Sequence, residues 1–250
     1  MQQTYLFDHA WQQERRRLEL LETHLDPATT QRLASTAVGP GTRCLEVGAG
    51  RGSVARWLAD RGADVLALDL EVEQLDAGAA EVLQGDVLEI ELPRASFDLI
   101  HTRAVLTHLP ERDRALERML GWLAPGGTIV LEELDWFGSC RSDPSWSALL
   151  HAYVSATPTI DWGCGRELLS QLALAGLEDV DAETTTDTIH GATPLAVFYG
   201  LCVQALRPAL QAAGTATETQ VEHELARLED PAFRGFGLSW VATWGRRPRR

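Results

Sequence analysis

The sequence predicts an α/β fold built on a doubly wound, mostly parallel sheet, and three observations predict it. From residue 43 to residue 134, short apolar strand patterns alternate with helical ones. The first strand, 43–47, runs straight into the glycine-rich turn Gly48-Ala49-Gly50-Arg51-Gly52 and then into a helix starting near Ser53. The second strand, 64–69, is apolar until it ends on Asp69. Strands that are apolar on both faces are covered on both faces, the situation of a parallel sheet with crossover helices.

Taken in order, residues 8–25 carry Trp11, Leu18, Leu20, Leu21 and Leu25 among charges, a one-faced helix. Asp26-Pro27 caps a second helix running to about Ala37, and Gly39-Pro40-Gly41 breaks it. Then follow strand 43–47, helix 53–61, strand 64–69, a helix near 71–80, a short strand near 82–84, strand 97–101, helix 110–123 and strand 128–134. Downstream, helices are expected at 144–157 and 165–175, a strand at 178–190, helices at 195–212 and 217–229, and a last strand at 237–245. No internal repeat or linker interrupts the chain. Ligands of such sheets sit at the carboxyl ends of the strands, which gathers Glu46, Asp69, Asp86, His101, Arg103 and Asp135 around one crevice.

The turn itself narrows the ligand. Gly48 and Gly50 allow positive φ and a close backbone approach, and the new helix offers free N–H groups. A phosphate loop needs a lysine, and all 22 basic residues are arginine. A dinucleotide turn needs glycine where Ser53 stands. Glu46, two residues before the first glycine, would repel a pyrophosphate but attract the ammonium of an amino-acid moiety. Asp69 can accept two hydrogen bonds from ribose hydroxyls, with a helix N-cap as its alternative role. A nucleoside joined to an amino acid satisfies both acids.

With those residues in place, the sequence resembles the class I S-adenosylmethionine-dependent methyltransferases. The resemblance rests on Glu46-Val47-Gly48-Ala49-Gly50-Arg51-Gly52, Asp69, Gly85-Asp86-Val87, Phe97-Asp98-Leu99-Ile100 and Leu123-Ala124-Pro125-Gly126-Gly127, in that order. The opening Tyr5 to Trp11, the run His108-Leu109-Pro110-Glu111-Arg112 and the ending Trp244 to Pro248 are similar to bacterial small-molecule methyltransferases of natural-product type. The resemblance implies a seven-stranded, Rossmann-like sheet with helical cap segments and S-adenosylmethionine as cofactor. It implies cofactor contacts from Glu46, Gly48, Ala49, Gly50, Asp69, Leu70, Asp86 and Val87, with Asp86 at the adenine; Arg103 lines the methionine chain or is a surface cation.

Composition bounds the partners. At 250 residues, 45% hydrophobic and 23% charged, the chain is expected to be a soluble globular protein able to bury a full core. A net charge of −14 argues against nucleic acid and for a small-molecule acceptor. Four cysteines without C-x-x-C spacing suit reduced thiols and a cytoplasmic location. No leader or membrane span is expected, since no window approaches about 20 apolar residues. A monomer or homodimer is expected.

For the chemistry, His108 is the candidate base or substrate hydrogen-bond partner, with helix capping as its alternative, and Asp135 is the second candidate base. His101 reads as a strand residue packed against a helix. No metal is expected, although Glu132 and Glu133 lie close to Asp135. Tyr5, Phe7, Trp11, Trp136, Phe137, Trp146, Tyr153, Trp162, Phe198 and Tyr199 all fall in the proposed cap segments. Tyr5, Trp11 and Trp136 are the candidate substrate contacts, in a pocket for an aromatic or apolar acceptor. The organisation expected is a helical lid over 1–38 and a methyltransferase domain over 39–250, with cap insertions near 136–176 and 191–235. The alternative functions are non-methylating chemistry, such as cyclisation or rearrangement, with S-adenosylmethionine bound, and a non-catalytic partner-binding role.

Overall fold

The computed structural model describes residues 13–136 and 143–249. The candidate substrate residues Tyr5 and Trp11 lie outside them, as do Phe7 and Phe137. Helix α1 (Glu14–Ala34) is followed by β1 (Arg43–Val47), α2 (Ser53–Ala59), β2 (Asp64–Asp69), β3 (Glu81–Gln84), β4 (Phe97–Arg103), a 3₁₀ turn (Leu106–His108), α3 (Arg112–Trp122) and β5 (Leu123–Asp135). Then come α4 (Pro144–Ala156), α5 (Cys164–Leu174), β6 (Glu178–His190), α6 (Pro194–Ala213), α7 (Glu218–Glu229) and β7 (Arg234–Arg246).

The strands form one seven-stranded sheet in the order β3-β2-β1-β4-β5-β7-β6. The pairings from β3 through β5 are all parallel. Strand order reverses between β1 and β4, so the crevice for a ligand opens past Val47 and Thr102, which are register partners. Alternation along each strand sends successive side chains to opposite faces. Leu45, Ile100, Ile129 and Leu131 join one core cluster with α3 and α5, while Cys44, Leu99 and Val130 join another with α2 and Leu33.

Four expectations are corrected. Residues 71–80 form turns and no helix: Gly78 has φ +62°, and the Asp76 N–H bonds the Arg51 carbonyl instead of a helical neighbour. The two N-terminal helices are one, α1, which carries Pro27 in its interior at the loss of a single N–H donor. The helix expected at 110–123 starts at Arg112, because Pro110 holds Leu109 extended at φ −96° and ψ 118°. β5 begins earlier than residue 128, since the Gly126 N–H and Gly127 carbonyl bond Arg247 and lengthen the ladder.

The described chain divides into two compact units. The glycine-turn unit comprises residues 25–133, 164–183 and 241–249, and it holds both core clusters named above. The aromatic unit comprises residues 13–24, 134–136, 143–163 and 184–240. In the latter, α4 is capped by Asp143, which accepts the N–H groups of Ser145 and Trp146, and α7 by a reciprocal Thr217–Gln220 box. Its core is built of rings. Trp146, wholly buried, meets Tyr199 and Phe233 edge-on with centroids 5.9 Å away in both cases, and Tyr153 meets Trp162 at 5.1 Å.

Candidate active site

The glycine turn is fixed by three different needs. At Gly48 (φ +70°) an added Cβ would stand 2.1 Å from Val105 Cγ2, and at Gly52 (φ +89°) 2.5 Å from the Asp76 carbonyl oxygen. Those two glycines are required by the protein's own packing. At Gly50 (φ +57°) a Cβ would meet nothing within 4 Å. Of the three, therefore, Gly50 is the one that faces open space, and Gly48 makes room for Val105.

The turn is anchored to the end of β2. Gly48 and Ala49 donate their N–H groups to the Leu68 carbonyl at 2.8 and 3.1 Å. Gly50 donates to Asp69 Oδ2 at 2.7 Å, and Asp69 Oδ1 accepts from the Glu71 N–H at 3.0 Å. Next to Asp69, Leu70 is 45% exposed, an apolar side chain beside a polar turn. Asp86 closes an Asx turn by accepting the Leu88 N–H at 2.8 Å. Val87 has its side chain in the core and its carbonyl bonded to Arg118.

Beneath the turn lies a buried charged cluster. β1 and β4 pair so that Glu46 and His101 are direct register partners, and His101 Nδ1 stands 2.7 Å from Glu46 Oε2. Both side chains are enclosed, at 0% exposure for His101 and 3% for Glu46. His101 Nε2 is 3.9 Å from Glu132 Oε2, an ionic approach too long for a hydrogen bond. Glu132 in turn accepts from Thr29 Oγ1 at 2.5 Å and from Arg32. Arg103 donates to Thr29 Oγ1 and to Asp26 Oδ1, both at 2.9 Å, so its guanidinium is held by α1.

Burial works against an imidazolium at His101, but Glu46 and Glu132 prevail and push its pKa up to about 9. Burial pushes the Glu46 carboxyl up, with His101 and Arg103 pulling the other way. Glu132 is also driven up by burial, yet His101, Arg103 and Thr29 bring it down to about 2. One imidazole between two carboxylates favours the charged ring. On the opposite face of β5, Glu133 accepts the N–H groups of Val105 (2.9 Å), Leu106 (2.8 Å) and Thr107 (3.2 Å). Burial pushes its carboxyl up to about 7, the three N–H groups offsetting part of that. This acid holds the loop that carries Val105 and His108. His108 itself lies half-buried in the 3₁₀ turn.

In the aromatic unit, Asp135 ends β5 fully buried, and half-buried Trp136 meets the His151 ring edge-on at 5.4 Å. Trp146, Tyr153, Trp162, Phe198 and Tyr199 are all buried, so these rings form the unit's core. A second polar hub sits among them. Asp187, 3% exposed, accepts the Tyr199 hydroxyl at 2.6 Å and the Trp240 Nε1–H at 3.4 Å, and pairs with His24 Nε2 at 2.7 Å.

Sequence reading thus missed the Glu46–His101–Glu132 cluster and the Asp187 hub. For the first a signal existed: two polar residues near the ends of strands expected to be neighbours. For the second there was none, because His24, Asp187, Tyr199 and Trp240 meet only through tertiary packing.

Residues 45–131 match the family model described as "Methyltransferase domain". A methyltransferase named str2 from Strobilurus tenacellus is 32% identical over 125 residues, 48% of this chain and 46% of that protein. A demethylmenaquinone methyltransferase from Renibacterium salmoninarum is 36% identical over 121 residues, 45% of this chain and 51% of its own. The chain spans about half the length of these curated relatives. A crystal structure of a SAM-dependent methyltransferase from Archaeoglobus fulgidus shares the fold, with a TM-score of 0.59 at 19% identity, covering 96% of this chain and 100% of that one. Over residues 45–131, therefore, the chain is similar to methyltransferase domains.

Proposed function

We propose that this protein transfers the methyl group of S-adenosylmethionine to a small acceptor of aromatic or apolar character. The observation that carries the reading is the cradle at Gly50, where a missing side chain faces open space beside the Asp69 carboxylate and the exposed Leu70. An adenosine fits that set of acceptors. Asp69 supplies a carboxylate for ribose hydroxyls, Leu70 offers an apolar face to a base, and Asp86 stands at the β3 end for an exocyclic amine. Glu46 supplies the negative charge for the ammonium of the amino-acid end.

When bound, the sulfonium supplies an activated methyl group, and the protein's task is to align it with the acceptor and exclude water. His108 is the group proposed to take a proton from the acceptor. A net charge of −14 supports a small neutral or cationic acceptor over a polyanion, and the name of the Renibacterium relative supports a small molecule.

Calorimetric titration with S-adenosylhomocysteine tests the cradle. Gly50→Val should abolish binding by filling the open space, and Asp69→Ala should weaken it by about 1–3 kcal/mol through a lost charged hydrogen bond. Unchanged affinity in both variants would overturn the reading.

A further inference from the structure

We propose that His101 is a positioning residue for the cofactor, holding the Glu46 carboxylate at the glycine turn in the orientation that receives the cofactor's ammonium group. This rests on the role proposed for Glu46 at the amino-acid end. The sheet register makes the two residues direct partners, and the 2.7 Å bond from Nδ1 fixes one carboxylate oxygen. Among the described residues, no other hydrogen bond is made to that carboxylate, so its second oxygen is directed by His101 alone.

The imidazole is located from its other side as well. Its Nε2 is buried without a hydrogen-bond partner and looks toward Glu132 at 3.9 Å. Glu132 is immobilised by Thr29 and Arg32, and Arg103 is tied to Asp26 and Thr29. The charged groups around the ring are therefore Glu46 from β1, Glu132 from β5 and Arg103 from its own strand, with Arg32 and Asp26 behind them on α1.

The electrostatic consequence follows from that arrangement. Glu46 is enclosed and lies near a second acid, Glu132, two conditions that favour a protonated and therefore uncharged carboxyl. A neutral carboxyl would offer an ammonium little. The imidazolium between the two acids opposes that tendency at Glu46 and aims its carboxyl.

The test compares two ligands on the full chain by calorimetry. S-adenosylhomocysteine has the amino-acid end, and methylthioadenosine has the same adenosine without it. His101→Phe should weaken S-adenosylhomocysteine by about ten- to a hundredfold while methylthioadenosine stays within about twofold. His101→Asn, whose amide can donate in place of Nδ1 but carries no charge, should recover part of the loss, and Glu46→Gln added to His101→Phe should cost nothing more.

Equal weakening of both ligands would make His101 a purely structural residue and overturn the proposal, and so would no weakening of either. If the Phe variant does not fold, Glu46→Gln alone must show the selective loss, and the Asn variant must fall between it and wild type; any other pattern overturns the proposal. Failure of the wild-type protein to bind S-adenosylhomocysteine would instead overturn the reading of the whole site, so the two failures are distinguishable.

Discussion

Around the glycine turn and the loops next to it, acids hold backbone. Asp69 takes the N–H groups of Gly50 and Glu71, Asp86 that of Leu88, and Glu133 those of Val105, Leu106 and Thr107. Around Asp187 in the aromatic unit the partners are instead side chains: the Tyr199 hydroxyl, the Trp240 indole and the His24 ring. An acid that binds peptide N–H groups dictates the path of a loop whatever that loop's side chains are. One that binds side chains dictates which residues must meet. The first arrangement suits a site where a ligand touches main chain, and the second suits a core whose identity lies in its rings.

The largest effect that should separate the two regions is at Trp146. Truncation to Ala removes a wholly buried ring with two edge-on partners and an Nε1–H donated to the Phe236 carbonyl, and should cost about 3–5 kcal/mol in urea unfolding. A loss under about 1 kcal/mol would mean that rings are not what holds that unit together.

A smaller loss is expected at Gly48. An alanine there meets Val105 Cγ2, so overpacking should cost about 1–3 kcal/mol. Adding Val105→Ala should return part of it. Absence of any recovery, measured by the same unfolding experiment, would place the cost in the positive φ alone.

The smallest effect is a slope. Glu133 has its folded pKa raised from 4.5 to about 7, so between those values the folded protein holds a proton that the unfolded chain has released. Stability should therefore fall as pH rises from about 4.5 to about 7 on this group's account. Glu133→Gln should flatten that part of the stability profile. A slope that is unchanged in the variant would assign the pH dependence to other groups.

The legible parts of the fold were those with local causes. Strands 43–47 and 64–69 stand where apolar runs bounded by turn residues put them. Gly50 and Asp69 were legible as neighbours at two strand ends, and the Gly50 N–H does bond the Asp69 carboxylate. The segment 71–80 was misread because strand–helix alternation called for a helix there, whereas the Asp76 backbone packs closely against Gly52. His101 was read as a packed strand residue, which describes its burial but not its partners. Its meeting with Glu46 depends on register across β1 and β4, a property that neither strand carries alone.

The bond from the Gly50 N–H to Asp69 has one further consequence. It connects the tip of the turn to the neighbouring strand, and with the two N–H bonds to the Leu68 carbonyl it sets the turn's shape from within the protein. A ligand docking there meets a backbone already in place and freezes few additional torsions. Preorganisation of this kind lets the bonds formed with the ligand appear almost undiminished in the affinity, since little is lost to ordering the loop. Hydrogen exchange at Ala49 and Gly50 should accordingly be slow before any ligand is added.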